Sequence, residues 1–173
     1  MRIGTVIAGA MLLVSAVAAN SAETPLGGVP VSVMLTNQPK MTVRKPGGGW
    51  YDILALSNAA GSDVTRFQAQ VSVEVGIRNE RNFMVSLLEP LVLTHQTESA
   101  LVFTTENISF GSNGAAMQTL SVTPVDFINP PLVGDTSTGN YLLSISARQP
   151  TGRLGNISGD YQGELVLMFE VKA

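Results

Sequence analysis

Apolar residues that recur at every second position leave a chain little choice of fold, and this chain has two long stretches of them. From Phe67 to Ile77 the residues Phe67, Ala69, Val71, Val73, Val75 and Ile77 alternate with Gln68, Gln70, Ser72 and Glu74. From Tyr161 to Val171 the odd positions Tyr161, Leu165, Leu167, Phe169 and Val171 are apolar, whereas Gln162, Glu164, Glu170 and Lys172 are polar. Successive side chains on a strand point to opposite faces, so each stretch is a half-buried strand. Shorter alternations occur at Val29–Leu35, Met41–Val43, Phe83–Leu88, Leu91–Leu93 and Tyr141–Ala147. Further short strands are expected at 101–104 and 108–110 around a Thr-Glu-Asn turn, and at 117–125 with Leu120 and Val122 inward. Residues 127–139 and 148–160 read as long loops, and Pro46-Gly47-Gly48-Gly49 as a turn. Glu89-Pro90 breaks a ladder. No twelve-residue stretch past the leader carries a helical period with caps. Many short strands with turn signals about every ten residues predict an all-β sandwich with immunoglobulin-like connections and no helix longer than a turn or two.

At 173 residues the chain is long enough for one domain with a substantial core. Residues 1–22 read as a secretory signal peptide: Arg2 supplies the basic start, Val6–Val17 the apolar run, and small residues near Ala18–Ala22 the cleavage site. The run is shorter than the roughly 20 apolar residues that span a bilayer. Beyond it, nine basic side chains face thirteen acidic ones, a charge of −4, and only 13% of all residues are charged. Such a surface has no basic patch for nucleic acid. Cysteine is absent, which removes disulfides, thiol catalysis and cysteine metal sites.

Little else carries chemistry. His95 is the single histidine; a catalytic reading would need Ser86 or Ser99 and Glu98 to converge on it, and a polar inter-strand loop is expected instead. No carboxylate spacing fits a calcium loop, and the glycine run at 47–49 has no following helix to hold a phosphate. Asn107-Ile108-Ser109 and Asn156-Ile157-Ser158 match the glycosylation sequon, a short pattern that arises often by chance. The sequence predicts neither an enzyme nor a cofactor.

The two ends carry the distinctive signals. The alternating strand at 161–171 is the last in the sequence, so no later segment covers its edge, and an open apolar edge is a template for another strand. The strand at 29–35, with Val29, Val31, Val33 and Leu35 on one side, stands apart from the body, with Pro30 near its start. An N-terminal strand of one molecule added beside the C-terminal strand of the next would satisfy both ends and repeat head to tail.

The ending Gly159-Asp160-Tyr161-Gln162-Gly163-Glu164-Leu165-Val166-Leu167-Met168-Phe169 resembles the Gly-x-Tyr-x-Gly strand that closes chaperone-usher pilins. Within that class, Phe67–Leu93 together with Tyr141–Val171 is similar to the major subunits of the colonisation-factor fimbriae, the alpha or alternate chaperone-usher group, which also lack cysteine. The resemblance implies an incomplete immunoglobulin-like sandwich without its last strand, completed by a donor strand from a neighbouring subunit. In this sequence residues 23–36 would be the donor extension, with Val29, Val31, Val33 and Leu35 as its face, and residues 37–173 the pilin body. Tyr161, Gly163, Leu165, Leu167, Phe169 and Val171 would form the acceptor edge that first binds a periplasmic chaperone. The implied partners are identical subunits, the chaperone, an outer-membrane usher and a tip adhesin; the implied location is the periplasm in transit, then the surface of a Gram-negative bacterium. Pro30 departs from the pattern, because it lacks one ladder donor. The alternatives are a secreted β-sandwich binding module, for which Trp50 and Tyr51 are the sole aromatic candidates, and a minor or initiating subunit of the same fimbria.

Overall fold

A computed structural model describes residues 6–9, 28–37, 40–58 and 63–172. Its strands in chain order are β1 (Val6–Gly9), β2 (Val29–Asn37), β3 (Met41–Arg44), β4 (Leu54–Leu56), β5 (Arg66–Arg78), β6 (Asn82–Leu87), β7 (Leu93–His95), β8 (Val102–Ser112), β9 (Gln118–Thr119), β10 (Val125–Ile128), β11 (Thr136–Arg148) and β12 (Tyr161–Val171). One helical turn, α1 (Leu154–Ile157), precedes β12. The expected all-β class is the observed one.

The strands form a single curled sheet with two faces packed on each other. One half runs β4 and β1 beside β2, then β12, then β6 and β7, with β10 on β6. The other half runs β3, β5, β11, β8, with β9 on β8. β7 pairs with β8 and joins the two halves. Curling an open sheet over on itself in this way buries the inward side chains of both halves in one core. Phe67, Val73, Val75 and Ile77 of β5 and Leu143, Ile145 and Ala147 of β11 are fully buried, as the alternation requires. All six phenylalanines are inside. Phe103 meets Phe67 and Tyr161 edge-on, and Phe110 stacks on Tyr141 and meets Phe169 edge-on. A sequence only 6% aromatic therefore concentrates its rings where the halves meet.

Several local expectations are corrected. The Thr-Glu-Asn triplet is not a turn, because β8 runs unbroken from Val102 to Ser112. A bulge opposite Ser146 and Ala147 absorbs the irregularity, and Glu106 on the outer face pairs with Arg66 and Arg148. Val122 is 58% exposed; of residues 117–125 only Leu120 is buried, and the short strand β9 covers Gln118 and Thr119. β10 extends into the start of the expected loop at 127–139 and β11 takes its last four residues; Phe127 stacks on Phe83 and sets the register of β10 against β6. The chain does break at Glu89-Pro90, between β6 and β7, but both strands stay on β12, and Leu88 N–H donates to Val166 O at 3.1 Å. The chain turns from β5 into β6 through residues 79–81, with Asn79 at φ 56°.

A buried polar cluster ties the far end of the sandwich. Asn129 donates from Nδ2 to Val75 O (3.0 Å) and Ser137 Oγ (3.1 Å), and accepts from the Tyr141 hydroxyl at 2.6 Å. Burial pushes the Tyr141 pKa up to about 12 from the ordinary 10.0, and burial raises that of Tyr161 as well. A phenol whose folded pKa is raised contributes stability that is fully present below the unfolded pKa and lost as pH rises through the folded one. Stability is therefore expected to fall by about 3 kcal/mol between pH about 10 and about 12. Urea unfolding across that range checks it, and Tyr141→Phe should leave only the smaller falls due to Tyr51 and Tyr161, whose pKa values burial also raises.

Candidate subunit-assembly site

β12 does not present an open edge in this chain. β2 lies parallel along it, with Gly163 opposite Val31, Leu165 opposite Val33, Leu167 opposite Leu35 and Met168 opposite Thr36. On its other side β12 pairs antiparallel with β6, from Leu167 opposite Leu87 to Val171 opposite Phe83. The edge expected to be uncovered is thus filled by the same chain's N-terminal strand.

β2 is held from its second side too. Val29, Pro30 and Val31 pair antiparallel with Leu56, Ala55 and Leu54 of β4. Val6–Gly9, within the expected signal segment, run antiparallel to Met34–Asn37. The rest of residues 1–22 lies outside the described residues, as do residues 23–27 of the expected donor extension. Pro30 falls before the β12 ladder begins at Val31, so its missing N–H costs that ladder nothing. Val29, Val31 and Val33 are fully buried; the side chain of Leu35 lies outside the described residues. Among the expected acceptor residues Tyr161, Leu165, Leu167 and Phe169 are buried and Val171 is partly buried.

The Gly-x-Tyr-x-Gly stretch sets the register of β12, and each of its three residues has a steric reason. At Gly159 φ is 145°, and a Cβ would lie 1.9 Å from His95 Nε2. Tyr161 is fully buried, edge-on to His95 and Phe103, and its hydroxyl donates to Ile157 O at 2.5 Å. At Gly163 a Cβ would lie 2.4 Å from Leu93 Cδ2 and 2.6 Å from Val92 O. A backbone carbonyl cannot swing aside, so Gly163→Ala is expected to cost about 1–3 kcal/mol and lower the melting temperature by roughly 3–10 °C. Gly155→Ala, with nothing within 4 Å, should melt unchanged in the same thermal scan.

Sequence reasoning missed three residues of this site. Trp50 Nε1 donates to Val33 O at 3.2 Å and so latches β2. Leu54 and Leu56 are buried on β4 opposite Val31 and Val29. The alternation Leu54-Ala55-Leu56 was the available signal, but nothing local says which strand it meets.

His95 belongs to β7 and not to a loop. Its Nδ1 accepts from Glu98 N–H (3.0 Å) and Thr97 N–H (3.2 Å), so Nε2 carries the proton and donates to Ser158 O at 3.1 Å. Both nitrogens are held by backbone, and Glu98 contributes its amide to the ring. Among the described residues no group of His, Asp and Glu could hold a metal ion, and no helix is long and apolar enough to cross a membrane. The Trp50 and Tyr51 rings meet edge-on at 70°, and the Tyr51 hydroxyl donates to Ser72 O at 2.7 Å, so the pair forms no flat platform. An open groove of about 580 Å³ beside Tyr51 is lined by Ile53, Gln68, Gln70 and Ser144.

The result is a curled all-β sheet whose C-terminal strand lies between β2 and β6. In fold the chain is similar to the CooA pilin subunit from enterotoxigenic Escherichia coli, with a TM-score of 0.51 at 16% identity over 78% of this chain and 100% of that one. No protein-family profile and no curated protein sequence matches it.

Proposed function

We propose that this chain is a structural subunit of a surface fimbria, assembled head to tail by strand exchange and acting in adhesion as the finished fibre. The observation that carries the reading is the slot between β12 and β4. It is filled by one strand, β2, which brings three fully buried valines and pairs on its far side with β4 and with Val6–Gly9. A strand of that kind supplied by a neighbouring subunit would complete the same slot, which is strand addition to a sheet edge. The pilin fold supports the reading, and the signal-like leader supports export. In this scheme residues 23–36 are the donor, residues 37–173 the body, and Tyr161–Val171 the edge that a periplasmic chaperone protects before an outer-membrane usher delivers it. A tip adhesin would cap the fibre. The role is structural and not enzymatic.

Electron microscopy of bacteria expressing the chain with a chaperone and usher tests the reading. Surface filaments that bind antibody against the body are expected. A secreted monomer without filaments would favour a binding module, whose ligand would then be sought in the groove beside Tyr51.

A further inference from the structure

We propose that β2 is a reversible plug of its own chain, so that the free subunit is closed and must release β2 before β12 can take a strand from another copy. This rests on the fimbrial reading for its purpose, though not for its geometry. Six consecutive residues of β2, Val31 to Thr36, pair with Gly163 to Met168, while β4, β1 and the Trp50 indole hold β2 from elsewhere. The slot is therefore occupied along its length and has no room for a second strand.

The covalent link explains why the plug lies parallel. β2 ends at Asn37 and β3 begins at Met41 on the other half of the sandwich. Those four steps of chain reach at most about 14 Å, enough to cross the roughly 10 Å between packed sheets once. Reversing β2 would carry Asn37 about 17 Å along β12 as well, a combined span of about 20 Å that the link cannot make. Within one chain only the parallel arrangement is reachable. Parallel ladders are slightly weaker per residue than antiparallel ones, which leaves the plug open to displacement. Pro30 removes one donor near the N-terminal end of β2, which weakens its hold on β4 there.

The absence of cysteine makes the test clean. Ser32 and Glu164 are register partners, and neighbouring strands place their Cα atoms about 5 Å apart, within disulfide reach. The exported chain carrying Ser32→Cys and Glu164→Cys is oxidised, and capture of a fluorescent peptide of residues 28–37 is followed by anisotropy with and without reductant. A disulfide within one molecule is expected, with capture at least 100-fold slower in the oxidised form and restored on reduction. Thr36→Cys with Met168→Cys, a second register pair, should behave alike, which guards against a folding defect in the first. Equal capture by both forms, a disulfide between molecules, or no capture even after reduction would each overturn the plug. Reduced protein that captures the peptide yet never gives filaments would instead refute the fimbrial reading and leave the plug standing.

Discussion

A chain lacking residues 23–36 is expected to melt roughly 10–30 °C below the intact one, the largest effect any single change to this protein should have. The three valines at 29, 31 and 33 are fully buried, and each contributes about 1.5–3 kcal/mol, or roughly 5–9 kcal/mol together. Small domains have only about 5–15 kcal/mol in total, and each kcal/mol moves the melting temperature of a chain this size by about 2–4 °C. The loss is compounded because removing β2 unpairs β12 on one side and β4 altogether. The bared edge of β12 would also be apolar, so aggregation should accompany the fall. Thermal melting by circular dichroism checks the size of the effect, and a peptide of residues 28–37 added in excess should recover most of it. A drop of only a few degrees would mean that residues 40–172 form a complete sandwich by themselves, and the strand-exchange reading would go with it.

The second large effect is expected at Leu167. It is fully buried, and with Met168 it is where the ladders to β2 and β6 overlap, opposite Leu35 on one side and Leu87 on the other. Leu167→Asp places an unpaired carboxylate there, and an uncompensated buried charge costs about 3–5 kcal/mol beyond the lost apolar burial. The altered chain should be recovered as aggregate or degraded and, on the fimbrial reading, should give no filaments, whereas Gln162→Asp on the exposed face should behave like the parent. Soluble Leu167→Asp protein with a near-parental melting temperature would show that this part of β12 is not the centre of the slot.

Both expectations begin from patterns of apolar residues along the chain. The alternation in 67–77, 141–147 and 161–171 marks which side chains face the core, because side-chain direction along a strand repeats every two residues whatever the strand packs against. The same rule marks Val29, Val31 and Val33, and it fails at Thr105-Glu106-Asn107, where a bulge lets polar residues continue a strand. It fails again at Val122, whose neighbours leave it in solvent. Gly159, Tyr161 and Gly163 could be singled out by resemblance, but their physical reasons, close approach to His95, Phe103 and Leu93, could not.

Periodicity along the chain thus suffices for the all-β class and for the buried faces of β5, β11 and β12. It does not reach the parallel docking of β2 on β12 in its own chain, the Trp50 latch, or the passage of the sheet from one half to the other through β7 and β8; those appear only in the folded arrangement. The reason is that periodicity is a local property of a strand, whereas pairing is a choice among edges far apart in sequence. That choice is settled by which slots exist, how far a three-residue link can reach, and which apolar faces remain to be covered.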